Sequence, residues 1–276
     1  MKRGIPLRKV LKKVVQLVAG LLVLYTWLIH PNTKRRKQME LFLKTDYAHR
    51  GLHGAGVPEN SLTAFARAAE RGYGMEFDVQ LSQEGIPVVF HDSSLGRVCH
   101  IEGVVEEMTL EELRVPLEKT EEILPTFREV LDTVRGRVPL LIELKMTKRK
   151  EQLVEAVLDE LKSYSGLYLI ESFDPMILRV LRKKAPDVLI GQLSGGLCRE
   201  NKSLSRFLAD RLLWNVYSRP DFIAYYHPYG RRFLTLYAKI FRVPIFSFTI
   251  KNQRDYHRKG WYSRHIFEGF LPPPGA

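Results

Sequence analysis

The sequence predicts an α/β fold: a (β/α)8 TIM barrel with an insertion after its third strand, preceded by an N-terminal transmembrane helix. Three observations predict it. Short β-type runs alternate with amphipathic helical segments from Tyr47 almost to the C-terminus. Several runs are continuously apolar or β-branched, the pattern of a parallel strand covered on both faces. Ahead of them, residues 14–33 are twenty positions without a charge. A helix of that length rises about 30 Å, the hydrocarbon thickness of a bilayer.

The N-terminal element comes first. Its apolar core runs from Leu17 to Leu24, with Tyr25 and Trp27 near one end, where aromatic rings favour the headgroup region. No small-x-small cleavage site follows, so an uncleaved anchor is expected rather than a signal peptide. Six basic residues precede the span and four follow it, a small bias towards an N-terminus in the cytoplasm. The chain therefore divides into a basic flank (1–13), an anchor (14–33), a basic linker (34–44) and a barrel domain (45–276).

The 276 residues carry a net charge of +12, which invites a nucleic-acid reading. Its distribution argues against one. Residues 1–37 hold ten Lys or Arg, among them Lys2, Arg3 and Lys34, and no acid; the remainder has 33 basic against 31 acidic groups. No nucleic acid is expected as a partner, and membrane lipid is. Residues 199–276 carry 14 basic and 5 acidic groups, so this half is expected to face a phosphate-rich surface. Cys99 and Cys198 lack metal-ligand spacing and read as ordinary thiols.

In the body, strands are expected at 46–49, 75–80, 88–91, 140–145, 168–172, 188–193, 222–226 and 245–250. Helices are expected at 61–71, 127–135, 148–162, 176–184, 204–214, 231–241 and 252–259. Ser61 suits an N-cap, Pro175 a first helical turn and Gly136 a C-terminal stop. Strands two and three are separated only by Ser82 to Pro87, too short for a crossover helix. The long stretch 93–120 then reads as the insertion.

In such barrels chemistry sits at the C-terminal strand ends. The first strand ends in His49 and Arg50, with Glu59 in the following loop. The second carries Glu76 and Asp78 on one face, alternating with Met75, Phe77 and Val79. The third ends in His91 and Asp92, and the fourth carries Glu143 and Lys145. Each has a plain alternative: a structural histidine, a buried ion pair, a solvated edge. Together they are hard to explain as stability devices, because buried polar groups cost free energy unless they bind something. Glu76, Asp78 and Glu143 are hard oxygen ligands suited to one divalent cation, Mg²⁺, Ca²⁺ or Mn²⁺. Arg50 and Lys145 complement a phosphate, and His49 and His91 titrate near neutrality. These parts specify metal-assisted attack at phosphorus.

The body from about Tyr47 to Pro272 resembles the glycerophosphodiester phosphodiesterases of the PLC-like phosphodiesterase superfamily. The motifs are Ala48-His49-Arg50-Gly51, Pro58-Glu59-Asn60-Ser61, Glu76-Phe77-Asp78-Val79, His91-Asp92 and Ile142-Glu143-Leu144-Lys145; Leu95, Arg97, Gly103 and Thr109 resemble the family's insertion. The resemblance implies hydrolysis of glycerophosphodiesters to glycerol 3-phosphate and an alcohol. It implies a metal on Glu76, Asp78 and Glu143, acid–base catalysis by His49 and His91, and Glu59 as a supporting carboxylate for Arg50 or the metal. One departure stands out: Phe248-Thr249 where members commonly place Trp-Thr, which keeps an apolar wall but loses the indole N–H. Two other functions are carried forward. One is a lysophospholipase D-like activity on lysophospholipid or a glycerophosphate polymer, and the other is an inactive membrane-bound binding module.

Overall fold

The computed structural model describes residues 7–195, 204–228, 231–257 and 262–273. Eight parallel strands close into a barrel: β1 (Tyr47–His49), β2 (Gly74–Leu81), β4 (Leu140–Leu144), β5 (Tyr168–Ser172), β6 (Ile190–Ser194), β7 (Phe222–Tyr226), β8 (Ile245–Ile250) and β9 (Arg264–Phe267). Closure comes from β1, which pairs with β2 on one side and β9 on the other.

Two strands differ from expectation. The predicted third strand is β3 (Pro87–Val89), which runs antiparallel to β2 outside the barrel, with Val79 opposite Val89 and Leu81 opposite Pro87. A five-residue link cannot make a parallel crossover, so the chain turns back as a hairpin. The vacant place in the barrel is taken by β9, where no strand was expected. Its four residues are held by pairing with β8 and β1 rather than by their own composition. Arg264 opens this strand.

The helices α3 (Leu62–Glu70), α6 (Phe127–Val134), α7 (Lys150–Leu161) and α8 (Pro175–Lys184) pack outside the sheet. Their starts obey local rules. Ser61 accepts from the Ala64 N–H, Thr126 and Glu129 form a capping box, and Asp174 caps a helix with Pro175 in its first turn. Such caps are worth about 1 kcal/mol each. The helix α6 stops at Val134, two residues before Gly136, with Arg135 taking the left-handed conformation at φ 51°. The expected helix 204–214 is two, α9 (Leu204–Asp210) and α10 (Asn215–Ser218); α11 (Arg231–Phe241) and α12 (Gln253–Tyr256) follow. Cys198, Arg258, Lys259, Lys2 and Arg3 lie outside the described residues. The insertion contains α4 (Gly96–Cys99) and α5 (Leu110–Leu113) over a small core of its own, built on Val98, Leu113 and Leu117. Cys99 is a buried free thiol there, pushed up to about 11 by burial.

The barrel lumen is apolar below and polar above. Tyr47, Leu141, Leu169, Phe222 and Phe246 fill its lower half, with the Tyr47 and Phe246 rings stacked at 5.5 Å. Met39 and Phe42, from α2 (Arg36–Met39) and the 3-10 turn Glu40–Leu43, are buried in the same cluster and close the floor. Burying two such side chains contributes about 1.5–3 kcal/mol each. The stretch read as a basic linker thus supplies two residues of the core.

The N-terminal helix α1 (Leu7–Ile29) exposes Leu17, Leu21, Leu22, Val23 and Leu24 along its length, but its C-terminal end is clasped by the barrel. The Ile29 carbonyl accepts from Asn215 Nδ2 (3.1 Å) and the Tyr237 hydroxyl (3.0 Å). Arg219 donates to the carbonyls of Trp27 (2.5 Å) and His30 (2.9 Å), and its guanidinium lies 4.9 Å from the Trp27 ring centre. These contacts satisfy carbonyls that any helix end leaves open and set a cation against the negative end of its dipole.

Candidate active site

The site is built around one strand. All eight residues of β2 are buried, because odd positions meet the helix layer and even positions meet the lumen. Glu76 and Asp78 therefore point inward, where Glu143 on β4 joins them; Asp78 and Glu143 are paired in register. One carboxylate oxygen from each of the three lies within 4.8 Å of the others.

Their electrostatics differ. Asp78 is the hub: it accepts from Asn60 Nδ2 (3.1 Å) and Lys145 Nζ (3.2 Å), and Arg50 Nε stands 3.5 Å away. Burial pushes its carboxyl up, but the Lys145 charge, helped by His91 and Arg50, holds it well below the usual range. Glu76 is pushed well above its ordinary value, first by burial and then by the charges of Asp78, Glu143 and Glu171. Glu143 is raised by burial against the pull of Lys145, 2.9 Å away. The cluster is short of positive charge, and hard oxygens at this spacing fit a divalent cation.

The turn after β1 delivers three residues. His49 ends the strand, Arg50 takes φ 55° and its N–H donates to Glu76 (3.3 Å), and Gly51 follows at φ 78°. A Cβ on Gly51 would stand 2.8 Å from Ala64 Cβ and 2.9 Å from its carbonyl carbon, so this position admits only glycine. Gly51→Ala is expected to cost about 2–4 kcal/mol, from overpacking and left-handed strain together, and to impair turnover. A urea unfolding midpoint equal to wild type would contradict this.

His49 donates its Nδ1–H to Glu268 Oε2 (2.8 Å), while its Nε2 lies 3.9 Å from Glu76. Burial pulls the imidazole below its ordinary value, outweighing the Glu268 hydrogen bond. Glu268 is drawn down to about 2, first by that hydrogen bond. With His49 neutral near pH 7, Glu268 keeps the Nδ1–H bond rather than the charge. That fixes the tautomer whose Nε2 lone pair faces the cavity.

His91 sits beyond β3, on the returning hairpin rather than on a barrel strand. Gln80, inward on β2, donates to the carbonyls of Phe90 (2.7 Å) and Asp92 (2.8 Å) and so fixes the His91 segment. His91 Nδ1 is 2.6 Å from Asp92 Oδ1, and Arg97 Nε donates to Asp92 Oδ2 (2.6 Å). Arg97 then binds both oxygens of Glu59 (2.6 and 3.1 Å), which accepts from Arg50 Nη1 (2.8 Å). Burial raises the Glu59 carboxyl, but Arg97 and Arg50 together bring it below its ordinary range. Glu59 thus bridges Arg50 and Arg97.

All eight residues singled out from the sequence meet at this end of the barrel. His49, Arg50, Glu59, Glu76, His91 and Glu143 line a cavity of about 620 Å³, and Asp78 and Lys145 lie against them. Phe248 lines its apolar wall against Phe173 and Tyr226, with ring centres 6.0 and 5.9 Å away. Sequence reasoning passed over Glu268, Gln80 and Glu171. Glu268 follows the unread strand β9. Gln80 and Glu171 were legible, each continuing the inward alternation of a predicted strand.

The chain matches the family model described as the glycerophosphoryl diester phosphodiesterase family over residues 49–256. It is 34% identical over 161 residues to the glycerophosphodiester phosphodiesterase of Caldanaerobacter subterraneus subsp. tengcongensis, covering 53% of this chain and 65% of that protein. It is 30% identical over 161 residues to that of Bacillus altitudinis, covering 54% and 65%. The matched regions therefore span just under two thirds of these relatives. Among solved structures, the glycerophosphodiester phosphodiesterase of Thermotoga maritima is 26% identical, with 81% of this chain and 94% of that chain covered at a TM-score of 0.62. A phosphodiesterase of Oleispira antarctica, solved with the product sn-glycerol-3-phosphate, shares the fold at a TM-score of 0.68, with 23% identity and coverage of 82% and 93%.

Proposed function

This chain belongs to the glycerophosphoryl diester phosphodiesterase family, and from that premise we propose that it hydrolyses glycerophosphodiesters to glycerol 3-phosphate and an alcohol. The observation that carries the reading is the inward carboxylate triad Glu76, Asp78 and Glu143, with ligand oxygens within 4.8 Å, facing two histidines across one cavity. The triad would hold one divalent cation, which supplies Lewis-acid stabilisation of charge on the phosphoryl oxygens.

The protein's own residues do the rest. Arg50 and Lys145 supply the positive field that orients the phosphodiester. His49 Nε2 takes the proton of the attacking hydroxyl as the new P–O bond forms. His91 gives a proton to the departing alcohol oxygen as the old P–O bond breaks; its side chain is 34% exposed against 15% for His49, which suits a leaving group bound for solvent. The attacking oxygen is the neighbouring glycerol hydroxyl or water, and ³¹P NMR distinguishes them, because only the first route gives a cyclic phosphate, which water then opens to glycerol 3-phosphate. The deciding experiment is a panel of diesters, glycerophosphocholine among them, assayed with and without chelator. Release of glycerol 3-phosphate that chelator abolishes is the expected result. Metal binding without turnover of any diester would favour the inactive module.

The reading includes a membrane anchor. The helix α1 is long and apolar enough to cross a bilayer, and almost none of its span is buried by the protein. The clasp at Ile29 would hold the barrel against the membrane at the end of the span. That clasp favours one further substrate reading, lysophospholipid reached in the bilayer, and an assay of lysophosphatidylcholine in detergent separates it from soluble diesters. Deleting residues 1–24 keeps Ile29 and its partners. The truncated protein is expected in the soluble fraction with its activity on glycerophosphocholine retained. Its persistence in the membrane pellet would remove the anchor role.

A further inference from the structure

Glu171 has no assigned part in the reaction above. It stands on β5 in register with Glu143, and the alternation Leu169, Glu171, Phe173 turns it into the lumen above the apolar floor. It is 1% exposed, lines the same cavity as Glu76 and Glu143, and neither carboxylate oxygen has a hydrogen-bond partner among the described residues. An ionised carboxylate taken out of water without a partner costs several kcal/mol, so its charged form needs a counter-charge.

The neighbouring cations are already committed. Lys145 lies between Asp78 and Glu143, and Arg50 between Glu59 and Asp78, while Arg97 pairs with Glu59. Four inward carboxylates, Glu76, Asp78, Glu143 and Glu171, therefore face two positive side chains, Arg50 and Lys145. Arg50 is shared with Glu59, and Arg97 with Glu59 and Asp92, so the cluster falls short by at least the two charges of a divalent cation.

We infer that Glu171 is a fourth carboxylate of the cation site, with its charge matched by the ion and not by a side chain. This rests on the metal-dependent reading above and adds a residue to it. Glu171 acts on the ion through its field, since it lies outside the tight group formed by the other three.

The test is calorimetric titration of the full-length protein in detergent with Mg²⁺, Ca²⁺ or Mn²⁺ alone, for wild type, Glu171→Gln and Glu268→Gln. Ion affinity is expected to fall about ten-fold or more in Glu171→Gln, and to change by less than about three-fold in Glu268→Gln, a carboxylate at the cavity rim. The thermal midpoint in chelator should be unchanged or raised by Glu171→Gln, because the substitution removes repulsion. Wild-type affinity in Glu171→Gln, an equal fall in both variants, or a lower midpoint in chelator would each overturn the inference and leave the metal reading standing. A wild-type protein that takes up none of the three ions would overturn both.

Discussion

Asp78→Asn is expected to lower kcat/KM by about 10³-fold or more and, unlike its neighbours, to destabilise the protein even in chelator. The catalytic loss follows from removing a hard oxygen at the centre of the site. The stability loss follows from what Asp78 holds. Lys145 Nζ and Asn60 Nδ2 both donate to it, and the Arg50 guanidinium lies beside it. Removing one partner of a buried ion pair costs about 3–5 kcal/mol, and Lys145 keeps Glu143, so the lower end applies. Because the folded carboxyl titrates below its unfolded value, its stabilisation is full above about pH 4 and is lost as pH falls towards the depressed folded value.

Glu76→Gln supplies the contrast. It should abolish turnover as completely, yet leave the chelated protein as stable as wild type, because the charges that raise Glu76 are carboxylates. Urea unfolding of both variants in chelator, beside their rates, tests the pair. Equal destabilisation by the two would refute the division between a hub paired with Lys145 and Arg50 and a carboxylate held only by a backbone N–H and His49.

This division was partly legible in the sequence. Glu76 and Asp78 stand out because Met75, Phe77 and Val79 alternate with them: in a strand buried on both faces, only lumen positions near a site tolerate charge. Which of the two is paired was not legible, since Lys145 and Asn60 reach Asp78 from separate elements. The strand β3 shows a different limit. Its composition passes for a barrel strand, and only the length of the link after β2 reveals the hairpin. The strand β9 was hidden altogether, because Arg264 and His265 look solvated and become a strand only between β8 and β1. Missing it also hid Glu268, which is why His49 was seen without the carboxylate that orients it.

That carboxylate gives the second large effect its signature. His49→Ala is expected to lower kcat by about 10²–10⁴-fold, the usual contribution of a positioned base. The fold should survive, since Glu268 retains Lys251 at 3.2 Å. Loss of rate alone would not separate a base from a structural histidine, but the pH dependence does. A base works deprotonated, and burial sets His49 below its ordinary 6.5, so the acid limb of the wild-type profile should lie below that value. Glu268 favours the imidazolium through its hydrogen bond and charge. Glu268→Gln therefore destabilises the protonated form, and the acid limb should move to lower pH while kcat drops about ten-fold from lost orientation. An acid limb that stays in place or moves upward in Glu268→Gln would mean that the titrating group is not His49, and the assignment of the base would pass to His91.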